Sequence, residues 1–269
     1  MTAPRILIIF RFHHRFEVVA DRLRWLRVLN PGAQIVGFYG GPSINRKAAL
    51  ALEWDDCYVL KDKIDLWKWQ YGDMHLRKWF RSSGHRLNFD FLCLAEWDLV
   101  FTRPLMELYQ PDQHALLMTD VKSLEQRRAE NWTWLTEPYV APEREAFEAW
   151  ARKKLGWDGR GNAGLLPGAL VRRDLLEAYA RVNPPRGGND ELRLGILAAA
   201  WGFSVGETNF RQSESYNCDR REIPVELVIQ KARDNQASVF HPVYQEMGDD
   251  NLRGIEMGCS TPQANPSPR

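Results

Sequence analysis

Two short apolar runs, separated by a helix-length amphipathic segment, constrain this chain more than any other feature. Arg5–Phe10 (RILIIF) is apolar throughout after its arginine. A strand of that character suits a parallel sheet covered on both faces. Glu17–Leu29 reads as a helix with Val18, Leu23, Leu26 and Leu29 on its apolar side, and Asn30-Pro31-Gly32 stops it. Ala33–Tyr39 is the second strand, closed by Gly40-Gly41-Pro42. A strand–helix–strand start commits the chain to an α/β fold.

The same alternation continues. Cys57–Leu60 reads as a short third strand, Leu66–Trp79 as an aromatic-rich helix and Phe89–Leu94 as a buried strand. A short helix follows Thr102-Arg103-Pro104, and Ala115–Met118 is strand-like up to Asp120. Val121–Pro142 reads as a long connection or a partly helical lid, and Glu143–Leu155 as a helix. Gly159–Gly164 is a glycine-dense turn. Leu165–Val171 returns to the sheet, where Pro167 requires an edge or a bulge. Helices are expected at Asp174–Arg181 and Glu191–Trp201, and a last strand at Ala237–Phe240. Thr208–Glu226 has no assignable pattern. The expectation is a single domain over residues 1–260, whose halves (1–120 and 121–260) supply a Rossmann-like sheet edge and the other wall of a cleft, and a disordered tail at 261–269.

Composition narrows the function classes. The 269 residues are 44% hydrophobic and 26% charged, as in globular proteins. Thirty-six basic residues against 35 acidic leave a net charge of +1, so no basic field favours nucleic acid. The four cysteines, Cys57, Cys93, Cys218 and Cys259, form no CxxC pair. Buried free thiols and a reducing cytoplasm are the expectation. The first apolar run is too short for a membrane span. Peripheral contact at the inner membrane face stays compatible with that reading.

The chemistry-bearing feature is Asp90–Asp98 (DFLCLAEWD). An apolar strand delivers Glu96 and Asp98 to its carboxyl end, on one side if the chain stays extended. Two close carboxylates repel unless protonated or neutralised, and a hard divalent ion is one solution. A turn with one capped and one solvated acid is the other. His13 and His14 are adjacent and do not converge on one ion. Asp190 stands where it would cap the helix that follows or project into a cleft. No P-loop, dinucleotide fingerprint or nucleophile elbow is present.

The EWD triplet after FDFLCL resembles the DxD-type motif of nucleotide-sugar-dependent glycosyltransferases with the GT-A fold. The basic loop after strand one, the GNAG turn, the GGNDE segment and the late His241 fall in the matching order. The resemblance implies a single GT-A-like domain with a Rossmann-like, mostly parallel central sheet flanked by helices. It implies transfer of a sugar from a nucleoside diphosphate donor, UDP favoured, to a hydroxyl of a glycan or glycolipid. By the same resemblance Asp98 and His241 hold Mn²⁺ or Mg²⁺, with Glu96 either a third ligand or a donor contact. Arg11, Phe12, Arg77, Lys78, Asn162 and Gly164 join Glu96 and Asp98 on the donor side. Asp190, or its neighbour Glu191, removes the acceptor proton in an inverting transfer. Trp132, Trp134 and Tyr139 are acceptor-side aromatics. A non-catalytic carbohydrate-binding protein and a sugar nucleotidyltransferase are the alternatives. Oligomeric state is left open.

Overall fold

The computed structural model describes residues 4–60, 70–109, 114–210, 215–217 and 221–251. In chain order the first elements are β1 (Ile6–Phe12), α1 (Phe16–Leu29), β2 (Gln34–Tyr39), α2 (Arg46–Leu50), β3 (Asp56–Val59) and α3 (Gly72–Ser82). Next come β4 (Phe91–Glu96), β5 (Val100–Phe101), α4 (Leu105–Leu108), β6 (Leu116–Ser123), α5 (Leu124–Ala129), α6 (Thr133–Thr136) and α7 (Ala141–Leu155). The chain closes with β7 (Asn162–Arg172), α8 (Arg173–Arg181), α9 (Asp190–Ala200), β8 (Val205–Glu207), α10 (Val225–Arg233) and β9 (Val239–Phe240). The expected helix at 66–79 begins among residues outside the described set, Trp67 included.

The chain divides into two compact units. The first comprises Met1–His14, Ala33–Glu96 and Tyr109–Asn209. It holds a seven-stranded sheet in the order β3-β2-β1-β4-β7-β6-β8. β3, β2, β1 and β4 run parallel, and so do β6 and β8. β7 alone is antiparallel to both of its neighbours. This mixed, mostly parallel sheet with helices packed on it is the architecture expected from the sequence. The continuous apolar runs explain it: Leu7, Ile8, Ile9, Phe10, Leu92 and Cys93 are all buried, as strands covered on both faces require. α9 lies on β7, and α3 packs on α8.

Pro167 produces a bulge rather than an edge. β7 sits between β4 and β6, and its register against β6 shifts between Leu165 and Leu170. The extra residues include Pro167 and Gly168, the latter at φ +78°, which a glycine adopts without strain. The bulge has a consequence for pairing. β4 pairs with β7 only through Cys93, while it pairs with β1 all the way to Glu96. The last turn of β4 is therefore released on one side.

The second unit comprises Arg15–Gly32, Trp97–Leu108 and Phe210–Arg269. It contains α1, α10 and the two-stranded ribbon β5-β9. Its last described segment is fastened to α1. Arg22 donates to the carbonyls of Val243 (3.2 Å) and Gln245 (2.6 Å), and Asp21 accepts from the amides of Met247 and Gly248. Charged residues inside an otherwise apolar helix pattern hid this role from the sequence. β5 and α10 are elements the sequence did not reveal.

Candidate metal and carboxylate site

Within the second unit, Asp98 and His241 face each other. Asp98 follows β4 by two residues, and its carbonyl accepts from the Val243 amide at 2.8 Å. His241 follows β9 directly and bridges to Tyr216. Its Nδ1 lies 3.0 Å from the Asn217 carbonyl. A carbonyl can only accept, so Nδ1 carries the proton in the neutral ring. The lone pair is then on Nε2, which lies 3.8 Å from Asp98 Oδ1. A backbone carbonyl fixing the far nitrogen is the usual support of a metal-binding imidazole.

Glu96, the last residue of the first unit, is one residue ahead of Trp97 in the chain. Asp98 and His241 each offer a ligand atom, and the two lie within 4.8 Å of each other. A carboxylate and an imidazole suit a divalent ion of the Mn²⁺ type. Beside them, Trp97 stacks on Tyr244 with ring centres 5.4 Å apart, and Arg15 lies over both rings.

Within the first unit, Glu96 belongs to a different arrangement. Arg11 and Glu96 are register partners in parallel strands, so their side chains leave the sheet together. Arg11 Nη2 donates to Glu96 Oε1, and Nη1 donates to Asp190 Oδ2 at 3.1 Å. Arg11 thus belongs to β1 itself, not to the loop that follows. Its guanidinium is held by two carboxylates that more than offset the cost of its burial and raise its pKa.

Asp190 is not the cap residue of α9, although its Oδ1 accepts from the Glu191 amide at 3.0 Å. The cap of α9 is Asn189, whose Oδ1 accepts from the Leu192 amide at 3.0 Å. Asp190 is 5% exposed, and burial pushes its carboxyl up to about 7, against the pull of Arg11. Burial and the charge of Asp190 push the half-buried Glu191 up to about 8, against bonds from the Asn189 amide and the Leu166 N–H. Both acids can therefore exchange protons near neutrality. Gly72, at the start of α3, walls this cluster. A Cβ there would collide with Arg11 Nη1 and lie 2.7 Å from Asp190 Oδ2.

The remaining candidates are scattered. Phe12 is 2% exposed and packs on Trp54 and Tyr39, so its ring belongs to the apolar interior rather than to an open loop. Arg77 is buried on α3 and donates to the Tyr179 carbonyl at 3.1 Å, while Lys78, one residue on, is exposed. Asn162 begins β7 opposite Ser123. Gly164 is buried against β6, where a Cβ would meet Thr119 O and Met118 Cβ at 3.0 Å each. Its missing side chain is accounted for by sheet packing. Trp134 is buried, Trp132 is half-buried beneath the Arg127 guanidinium, and Tyr139 is 69% exposed. Among these three aromatics only Tyr139 presents most of its surface to solvent.

Sequence reasoning missed the support of this region. Asp73 on α3 and Arg193 on α9 form a fully buried pair, with Arg193 Nε 3.0 Å from Asp73 Oδ2. Tyr179 donates to the same carboxylate at 2.7 Å. The available signal was a lone arginine inside the apolar run LRLGILAAA, because an arginine there must find a partner.

No known family model matches the chain, and no curated protein sequence matches it. Solved structures do. An active-site mutant of LgtC is similar at 13% identity and a TM-score of 0.43, with 97% of each chain covered. The galactosyltransferase LgtC in complex with donor and acceptor sugar analogues is similar at 12% identity and 0.41, again over 97% of each chain. The bifunctional glycosyltransferase WbbM, in its apo form, is similar at 9% identity and 0.43, over 97% of this chain and 50% of that one.

Proposed function

We propose that this chain is a metal-dependent glycosyltransferase that moves a sugar from a nucleoside diphosphate donor, UDP favoured, to a hydroxyl of a glycan or glycolipid. One observation carries the reading. Asp98, two residues past the last residue of a parallel strand in the chain, faces a tautomer-fixed His241. Ligands of open α/β sheets bind outside such strand ends. Asp98 and His241 would hold a divalent ion. When bound, the ion would stabilise negative charge developing on a leaving diphosphate.

The chain's own residues supply the rest. His241 is oriented by Asn217, and the strap 243–248 is held by Arg22 and Asp21. Asp190 is the proposed base for the acceptor hydroxyl, which makes the transfer inverting. A carboxyl raised to about 7 by burial is well matched to that proton. Glu191 lies next to it and is the second candidate. Arg77 and Lys78 drop to peripheral donor roles, because α3 turns one inward and the other to solvent. Tyr139 is the proposed acceptor-side ring.

Calorimetric titration with UDP and with GDP, each with and without Mn²⁺, tests the donor site. Saturable binding that strengthens with Mn²⁺ and is lost in Asp98→Asn is the expected result. If folded protein takes up neither nucleotide nor Mn²⁺, the catalytic reading fails and a non-catalytic carbohydrate-binding role replaces it.

A further inference from the structure

The segment after β2 is fixed from within. Tyr39 Oη donates to the Pro42 carbonyl at 2.7 Å, and Trp54 Nε1 donates to the Ala49 carbonyl at 2.9 Å. Trp54 is itself stacked on the buried Phe12. Of the five residues of α2 only Ala49 is buried. The rest of α2 and the turn before it look outward. Ile44 is 87% exposed and Leu50 is 45% exposed. With Ser43, Arg46, Lys47 and Ala51 they line an open groove of about 510 Å³. A single exposed aliphatic side chain is ordinary, whereas two on one groove beside two cations make an amphipathic surface. Among the described residues neither Arg46 nor Lys47 forms a salt bridge. The acids that follow are engaged by backbone: Asp55 accepts from the Ile35 amide and Asp56 from the Cys57 amide.

We propose that residues 43–51 are a docking surface for an anionic lipid bilayer. Ile44 and Leu50 enter the boundary between headgroups and acyl chains, while Arg46 and Lys47 meet the negative headgroups. The sign of the charge and the size of the surface select this partner. A specific protein interface takes about 20–30 residues a side, and six line this groove. Insertion into a bilayer surface needs only a few apolar side chains backed by cations. The surface lies wholly within the first unit and works without metal or donor.

The experiment is flotation of the full chain with phosphatidylcholine vesicles, with and without phosphatidylserine, at low and high salt. Wild type should float with the anionic vesicles at low salt and be released by high salt. Arg46→Gln and Lys47→Gln should each weaken binding about fivefold. Ile44→Asp should weaken it by at least about tenfold, since the inserted side chain is then charged. All three side chains are exposed, so the variants should fold as wild type does, which circular dichroism checks. Their titrations with UDP and Mn²⁺ should match wild type. Lipid binding by a chain that takes up no nucleotide would fell the catalytic reading and leave the docking surface standing. Wild type that stays off anionic vesicles, or folded variants that bind them as wild type does, overturns the proposal. So does equal binding to neutral vesicles, because the cations then select nothing. Dimers that form in sedimentation without lipid, and that Ile44→Asp abolishes, would overturn it by assigning the groove to a second copy of the chain.

Discussion

Two buried arginine–aspartate pairs of the first unit invite comparison. Both involve α9, and both include a side chain with little or no exposure. Arg193 gives two bonds to Asp73 and two more to the carbonyls of Gly187 and Gln70, and Asp73 also accepts from Tyr179. The hydrogen bonds close on themselves there. Arg11 is instead shared between two acids from different elements, so acidic groups outnumber the basic one there. A closed network holds a fold rigid, whereas an acid-rich one can still take up a proton or a cation. The difference separates scaffold from candidate site, although both pairs are made of the same residue types.

The largest test of that contrast is to open the closed network. Arg193→Met should cost about 3–5 kcal/mol, because it strands the Asp73 charge in the interior. Urea unfolding measures it, and a loss below about 1 kcal/mol would put the pair on a par with surface contacts. In the second unit, Asp98→Asn should lower metal-dependent turnover about 100-fold or more, with stability changed by no more than about 1 kcal/mol. Turnover that survives the substitution would remove Asp98 from the metal site.

Gly72→Ala presses a methyl onto Arg11 and Asp190. It should destabilise by about 1–3 kcal/mol, the usual cost of overpacking, and wild-type stability in that variant would mean that the cluster has room to yield. A further effect, small per pH unit, is pH-dependent. Asp190 binds its proton more tightly folded than unfolded, with its pKa raised from 3.8 to about 7. Its contribution to stability is therefore greatest at low pH and is lost as pH rises through that window, by at most about 1.4 kcal/mol per pH unit. Asp190→Asn should flatten this part of the profile, and superimposable profiles would contradict it. The smallest effect belongs to Tyr139→Ala. It should leave unfolding within about 0.5 kcal/mol of wild type while raising KM for the acceptor, and an unchanged KM would leave Tyr139 an ordinary surface ring.

Much of the first unit was readable because its strands are covered on both faces and so carry uninterrupted apolar runs. RILIIF, AQIVGFY and FDFLCL each became a strand of the parallel set. The strand ends told less. β6 runs to Ser123 rather than stopping near Asp120, because an irregular register against β7 carries it past the polar residues. α10 was missed in a stretch where proline and charges mask a nine-residue helix.

By itself the sequence determined the α/β alternation and pointed to Glu96 and Asp98, because local apolar runs and an acidic strand end are short-range signals, while His241 entered only through the order of motifs in the resemblance. Only the tertiary structure decided that Arg11 lies opposite Glu96, that Asn189 rather than Asp190 caps α9, and that Phe12 points into the interior. Those outcomes depend on strand register and on close approach between segments up to 179 residues apart. Such distances lie beyond any periodicity or spacing, since register is settled by packing the whole sheet at once.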